Sequence, residues 1–331
     1  MKFQLDTQLA KAGLCLLAVL VLLLGALAFF SRWEEDGPRA AVSSNGETGE
    51  DRVFYDGEWH RRRSGMETLL FMGIDKYAEQ DGPVHGEYEQ ADFIMLLVFD
   101  KKAERCTALH LNRDTMANYE KLDGQGRSLG TEYGQLALAH TYGGDGNMRC
   151  RNMAKSVKKL LYGTKVDHYL SLTMDGIVEM NDLLGGVTVT VEDDFSQVDS
   201  SLVMGKRVTL TGQQALTFVR SRRGVGDGSN LGRMRWQRQY MDGLQQKWQN
   251  SLELDSGFVS TAFEQLNPYM VSDCSIQKLT ELSGFLSTYG VEEIISPEGE
   301  NDTSGEFVEF TVDEAALQAL VMELFYEKVE G

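Results

Sequence analysis

Cysteine, proline and histidine are scarce in this sequence, and each scarcity removes a class of protein. There are 4 cysteines in 331 residues, with no Cys-x-x-Cys pair and no His/Cys cluster along the chain. A disulfide scaffold is excluded, and the sequence offers no zinc site. Only 4 prolines stand against 34 glycines, which excludes a proline-rich stalk, and no G-x-y period points to collagen. The five histidines, at 60, 85, 110, 140 and 168, show no partner spacing. Positive charge is also short: 32 basic against 50 acidic side chains give a net charge of −18. A nucleic-acid coat needs a basic face and is therefore excluded. There is no G-x-S-x-G elbow, no H-E-x-x-H and no P-loop, so nucleophilic-serine, zincin and nucleotide-hydrolase readings lose support. What remains is ordinary for a folded protein, 42% apolar and 25% charged.

The longest uncharged apolar run is Gly13 to Phe30, close to the 20 or so residues that cross a bilayer core. Lys2 and Lys11 precede it; Arg32 and Arg39 follow it, so flanking charge does not set the orientation. A leading membrane segment before a long polar chain gives a single-pass cell-membrane topology, N-terminus inside and the bulk extracytoplasmic. A cleaved signal peptide ending near Ala26-Leu27-Ala28 and a buried soluble helix are the competing readings. The expected organisation is a short N-terminus (1–12), an anchor (13–30), a polar linker (31–65) and one folded domain (66–331). That domain divides into a motif core (66–240) and a helical extension (251–331). Arg61-Arg62-Arg63 reads as a solvated approach to the first strand. Outside the apolar run, Cys106, Cys150 and Cys274 allow one disulfide and one free thiol, or three thiols.

Strand patterns are expected at Thr68 to Met72, Phe93 to Phe99, Cys106 to Leu111, Asp167 to Leu172, Val187 to Val191 and Leu216 to Arg220. The second is apolar throughout, as in a strand covered on both faces. Helical periods fall at Glu132 to Tyr142, Asn147 to Leu161 and Met174 to Leu184. The tail reads as two helices, a strand near Val308 to Thr311 and a last helix from Asp313 to Lys328. Alternation of this kind predicts an α/β fold, layered α-β-α around a central mixed sheet. No internal repeat is present.

Chemistry concentrates at strand ends. Asp75 follows one apolar strand and Asp92 opens the next; such carboxylates suit a hard cation, or simply terminate strands. Arg113-Asp114 emerges from the third strand, where a guanidinium can fork onto phosphate oxygens or pair with its neighbour. Residues 220 to 239 carry six arginines and one acid, a local +5. The rest of the chain holds 26 basic and 49 acidic residues, net −23. Arg220 and Arg222 would share a face on a strand. Arg233 and, one turn later, Gln237 would share a side of the following helix. Convergent guanidiniums fit a pyrophosphate, whereas a solvated basic face is the bland alternative. A nucleic-acid reading lacks an aromatic stacking series.

Read in order, these segments resemble the LytR–CpsA–Psr family of cell-envelope proteins. The resemblance rests on Leu70 to Asp75, Ala91 to Leu96, Asn112 to Thr115, Leu138 to Gly144, Val166 to Tyr169, Asp182 to Val189, Leu210 to Leu216 and the arginine segment. It implies a phosphotransferase that moves a glycopolymer such as teichoic acid or capsule from polyprenyl pyrophosphate to peptidoglycan. Carried over, Asp75 and Asp92 serve Mg²⁺, while Arg113, Arg220, Arg222, Arg233 and Gln237 hold the pyrophosphate. Asp114 beside Arg113 is the candidate base for the incoming sugar hydroxyl, and an apolar tunnel between sheet and helices takes the lipid. Three departures stand out: Gln90-Ala91 where the family often has an arginine before the second acid, Trp236 where it often has another, and Asn112 in place of a common proline. Arg235 or Arg238 are the candidate substitutes for the arginine missing at 236. A non-catalytic binder of lipid-linked wall precursors and a pyrophosphatase are the alternative functions.

Overall fold

Three apolar runs become the middle of a six-stranded sheet because their side chains are covered on both faces. The structure, a computed structural model of the 331-residue chain, describes residues 52–76, 89–255 and 258–329. The run at 13–30 and most of the expected linker lie outside the described residues. Among those described, no helix is long and apolar enough to cross a membrane.

In chain order, β1 (Arg52–Tyr55) and β2 (Glu58–Arg62) form a hairpin ahead of β3 (Met66–Ile74), β4 (Ala91–Asp100) and β5 (Arg105–Leu111). A second hairpin, β6 (Met116–Leu122) and β7 (Ser128–Gln135), leads through a 3₁₀ turn (Leu136–Thr141) into α1 (Gly146–Leu160). Then follow β8 (His168–Thr173), α2 (Met174–Leu183), β9 (Thr188–Thr190), β10 (Arg207–Thr209), α3 (Gly212–Arg220) and α4 (Asn230–Leu254). The tail holds α5 (Phe258–Leu266), β11 (Met270–Ser272), α6 (Ile276–Tyr289), β12 (Glu293–Ile295), β13 (Gly299–Asp302), β14 (Glu309–Val312), α7 (Glu314–Phe325) and β15 (Tyr326–Lys328).

The central sheet runs β11-β8-β3-β4-β5-β12. The β3–β8 and β5–β12 pairs are parallel and the others antiparallel, which makes the sheet mixed, as expected. Alternation sorts its side chains. Leu69, Phe71, Met95 and Leu97 pack against α2–α6 through Met180, Phe218, Trp236, Leu244 and Leu282. Leu70, Met72, Ile94 and Leu96 face α1 and α7 through Met153, Val157, Leu317 and Phe325. The result is the α-β-α layering the sequence predicts. Close approach of α4 to β9 depends on Gly243, where a Cβ would lie 2.7 Å from the Thr188 carbonyl oxygen.

Four expectations are corrected. Leu216 to Arg220 belongs to a helix, not a strand. Thr211 and Gln214 make a reciprocal capping box that starts α3, and Ala215, Leu216, Phe218 and Val219 are buried along its stripe. Glu132 to Tyr142 is strand and then 3₁₀ turn rather than α-helix; Gly134 disfavours a helix there, and β7 pairs with β6 instead. The stretch read as linker contains β1 and β2, so ordered structure begins before residue 66. Arg61 of that stretch pairs with Glu327, and Arg63 donates to the carbonyls of Glu323 and Tyr326. The last helix stops at Phe325, because Tyr326 to Lys328 pair with β2. Cys106, Cys150 and Cys274 are all free thiols.

Asp242 on α4 supplies a pH-dependent term. Its Oδ1 is buried with no hydrogen-bond partner, and burial pushes its carboxyl up from 3.8 to about 7. The native state then binds the proton more tightly than the unfolded chain, so this group's contribution to stability falls as pH rises from 3.8 to about 7. Urea midpoints compared below and above that window should drop more for the wild-type chain than for Asp242→Asn.

Candidate active site

The topology brings three sequence-distant segments to one edge of the sheet. Antiparallel pairing of β4 with β3 and β5 places the end of β3, the start of β4 and the end of β5 side by side. Asp75, Asp92 and Arg113-Asp114 therefore emerge together. The register passes from Gly73↔Phe93 to Ile74↔Ala91, leaving Asp92 as the extra residue of a β-bulge. A bulge bends the strand and re-aims its side chain.

Asp92 is the centre of the arrangement. Arg113 Nη1 donates to Asp92 Oδ1, and Arg233 Nη1 donates to Oδ2 at 3.1 Å. Arg113 Nη2 also donates to Gln90 Oε1, so the residue in place of a family arginine is a partner of Arg113. Arg233 is 3% exposed and is fixed through Nε to Asn230 Oδ1 at 3.0 Å. Burial lowers its pKa from the usual arginine value, opposed by Asp92. Asn230 in turn donates to Asn112 Oδ1 at 2.6 Å, and the same oxygen accepts the Asp114 backbone N–H at 2.9 Å. Asn112, which stands in place of a common proline, thus ties the end of β5 to the start of α4.

Asp114 is completely buried. Its Oδ1 lies 3.4 Å from Arg113 Nε and accepts from Gln135 Nε2 at 3.0 Å. Burial pushes its pKa above the usual carboxylate value, opposed by Arg113, Arg222 and Arg233. Both Asp114 Oδ2 and Arg113 Nε lack a hydrogen-bond partner, which leaves donor and acceptor capacity at the site.

Arg220 and Arg222 do not alternate on a strand. Arg220 ends α3 and donates from Nη2 to Asp75 Oδ1 at 3.1 Å. Arg222 lies in the loop beyond, where its Nε donates to the Gly228 carbonyl at 3.1 Å. Gln237 follows Arg233 by one helical turn, donates to the Val219 carbonyl at 3.2 Å and leaves a buried Oε1 without a partner. The candidate substitutes for the arginine missing at 236 have other partners. Arg235 lies toward Asp193, and Arg238 is engaged by Ser296 and His110.

Asp92, Arg220, Arg233 and Gln237 stand at the mouth of an apolar slot between sheet and helices. The slot encloses ≈ 570 Å³ counting the part open to solvent, and its free interior is narrow at ≈ 50 Å³. Met174, Met180 and Met241 are among its walls; unbranched thioether side chains re-pack easily around a guest. Asp75 and Asp92 carry the oxygen donors that a hard cation such as Mg²⁺ takes, each here paired with arginine. With all groups ionised, Arg113, Arg220, Arg222 and Arg233 against Asp75, Asp92 and Asp114 leave a net +1.

Charged groups at the end of a mixed sheet thus open onto an apolar slot. The chain belongs to the LytR_cpsA_psr family, whose model matches residues 36–325. It is similar to the polyisoprenyl-teichoic acid–peptidoglycan teichoic acid transferase TagU of Enterococcus faecalis, 29% identical over 180 residues, covering 54% of this chain and 53% of that protein. Biofilm regulatory protein A of Streptococcus mutans is 29% identical over 199 residues, covering 57% and 45%. The chain thus spans about half the length of these curated relatives. In fold it resembles Bacillus subtilis TagV (TM-score 0.59, 21% identity, 79% of this chain and 96% of that one). It also resembles TagT bound to LI-WTA (TM-score 0.58, 22% identity, 79% and 90%).

Proposed function

We propose that this chain is a membrane-anchored, extracytoplasmic phosphotransferase that moves a glycopolymer such as teichoic acid from polyprenyl pyrophosphate to peptidoglycan. The observation that carries the reading is Asp92 clasped by Arg113 and Arg233 at the mouth of a methionine-walled apolar slot. In this reading the pyrophosphate takes the place of Asp92 as a partner of both guanidiniums, and the prenyl chain opens the slot. Arg220 and Gln237 line the same mouth, and Arg222 adds positive charge behind it.

The reaction joins an acceptor hydroxyl oxygen to the phosphorus that carries the polymer. The bond from that phosphorus to the bridging oxygen breaks, and prenyl monophosphate leaves, its phosphate oxygen able to take up the hydroxyl proton. Such transfers need alignment and charge neutralisation more than covalent help. A site of net +1 cannot neutralise a pyrophosphate by itself, which favours a divalent cation. Asp75 and Asp92 would hold Mg²⁺, which when bound supplies positive charge to the phosphate oxygens. Because Asp114 is sealed behind Arg113, we assign it to orienting Arg113 ahead of taking the hydroxyl proton.

The test is to incubate the full chain in detergent with a lipid-pyrophosphate-linked glycan, peptidoglycan oligomers and Mg²⁺. Polymer attached to the oligomers is expected. Release of prenyl phosphate without attachment would instead make it a pyrophosphatase, and tight binding without turnover would make it a binder.

A further inference from the structure

At the opposite end of β3 from Asp75, His168 meets a pair of residues more than a hundred positions further along the chain. His168, Asp273 and Cys274 bring a ring nitrogen, a carboxylate oxygen and a sulfur within 4.8 Å of one another. His168 opens β8, and Asp273-Cys274 follows β11, whose Ser272 pairs with Leu170. The corner is pinned by the main chain. Asp273 Oδ1 accepts the Tyr169 N–H at 2.9 Å, Ser272 Oγ donates to the Tyr169 carbonyl at 2.8 Å, and the Cys274 N–H donates to Ser272 Oγ at 3.1 Å.

The imidazole is oriented from behind. Its Nε2 lies 3.1 Å from Glu67 Oε1, while Nδ1 faces Asp273 Oδ1 at 3.8 Å. With Nε2 on Glu67, Nδ1 is the nitrogen turned toward the Asp273 carboxylate. A carboxylate behind a histidine is the usual outer support of a metal-bound imidazole. Lys101 and Lys278 are matched by Glu67 and Glu281. Cys274 and Ser272 also line a separate cavity of ≈ 230 Å³, a source of water for a fourth ligand position.

We propose that His168 Nδ1, Asp273 and Cys274 bind Zn²⁺, clipping the edge strand β11 and the start of α6 onto β8. Mixed nitrogen, oxygen and thiolate donors suit Zn²⁺, whereas Mg²⁺ and Ca²⁺ take oxygen ligands. Binding replaces the Cys274 S–H bond by a metal–thiolate bond and releases the proton to solvent.

The test uses the untagged full chain in detergent, stripped with a chelator and titrated with Co²⁺ and then Zn²⁺. One equivalent of Co²⁺ should give a thiolate-to-metal charge-transfer absorption that Zn²⁺ bleaches. Cys274→Ser should abolish that band, and His168→Ala should weaken Zn²⁺ binding at least about 100-fold. Glu67→Gln, which keeps the shape and loses the charge, should weaken it about 10-fold. Apo-state thermal unfolding of each variant reports whether it is folded. Absence of the band in the wild-type chain, or an unchanged Zn²⁺ affinity in folded Cys274→Ser and His168→Ala, would overturn the site.

Discussion

Arg233→Ala is expected to slow polymer transfer by at least about 10²-fold, the usual cost of deleting one preorganised donor to a transition-state charge. Arg233 is buried and makes two kinds of contact at once, to Asp92 through Nη1 and to Asn230 through Nε. Its loss would leave Arg113 as the only guanidinium on Asp92. It would also leave a half-buried carboxylate undercompensated, a change that costs roughly 3–5 kcal/mol where such pairs are broken from one side. Arg233→Lys separates the two effects. An ammonium keeps the charge but lacks the planar fork that reaches Asp92 and Asn230 together, so folding should recover further than transfer. Initial transfer rates and urea unfolding curves for the three chains check this. A folded Arg233→Ala chain transferring within a few-fold of wild type would sink the assignment.

The second large effect is on stability. Trp236→Arg, which restores the residue often found there in the family, should destabilise the chain by about 3–5 kcal/mol without raising transfer. Trp236 is 1% exposed, and its Nε1–H donates to Asp193 Oδ2 at 2.6 Å. Its ring meets Phe195 edge-on at 5.0 Å, and Phe195 stacks on Phe218 at 5.1 Å. A guanidinium there would enter an aromatic cluster rather than the phosphate site. For a chain of this size the thermal midpoint should fall by on the order of 10 °C. Scanning calorimetry gives the midpoint. A variant as stable as wild type, or a faster one, would show that position 236 can face the site after all.

These two residues also mark what the sequence made legible. Arg233 stands out from sequence through the density of arginines at 220 to 239. Arg113 and Asp92 stand out because apolar strands end beside them, and strand ends in α/β sheets gather ligand groups. The layered mixed sheet follows from the apolar runs for the same reason. Helix α3 is misread because alternating arginines at 220 and 222 imitate a strand, while the capping box at Thr211 and Gln214 is the better local signal. Gln90, Asn112, Asn230 and Gln135 carry no motif value singly. Their roles exist only once α4 and β7 are folded against the end of β5. The same holds for His168 with Cys274, separated by more than a hundred residues and joined only by the β8–β11 pairing.

One further consequence lies in the small sheet β1-β2-β15. Arg61 and Glu327 are paired across 266 residues, so β2 of the N-terminal hairpin and the last described strand close on each other. That sheet meets the body where β3 begins, whereas Asp75 lies at the far end of the same nine-residue strand, roughly 30 Å away. Pulling on the chain at residue 52 would strip β1 from β2 and then β2 from β15 before any force reached Asp92. The site is mechanically insulated from whatever holds the N-terminal end.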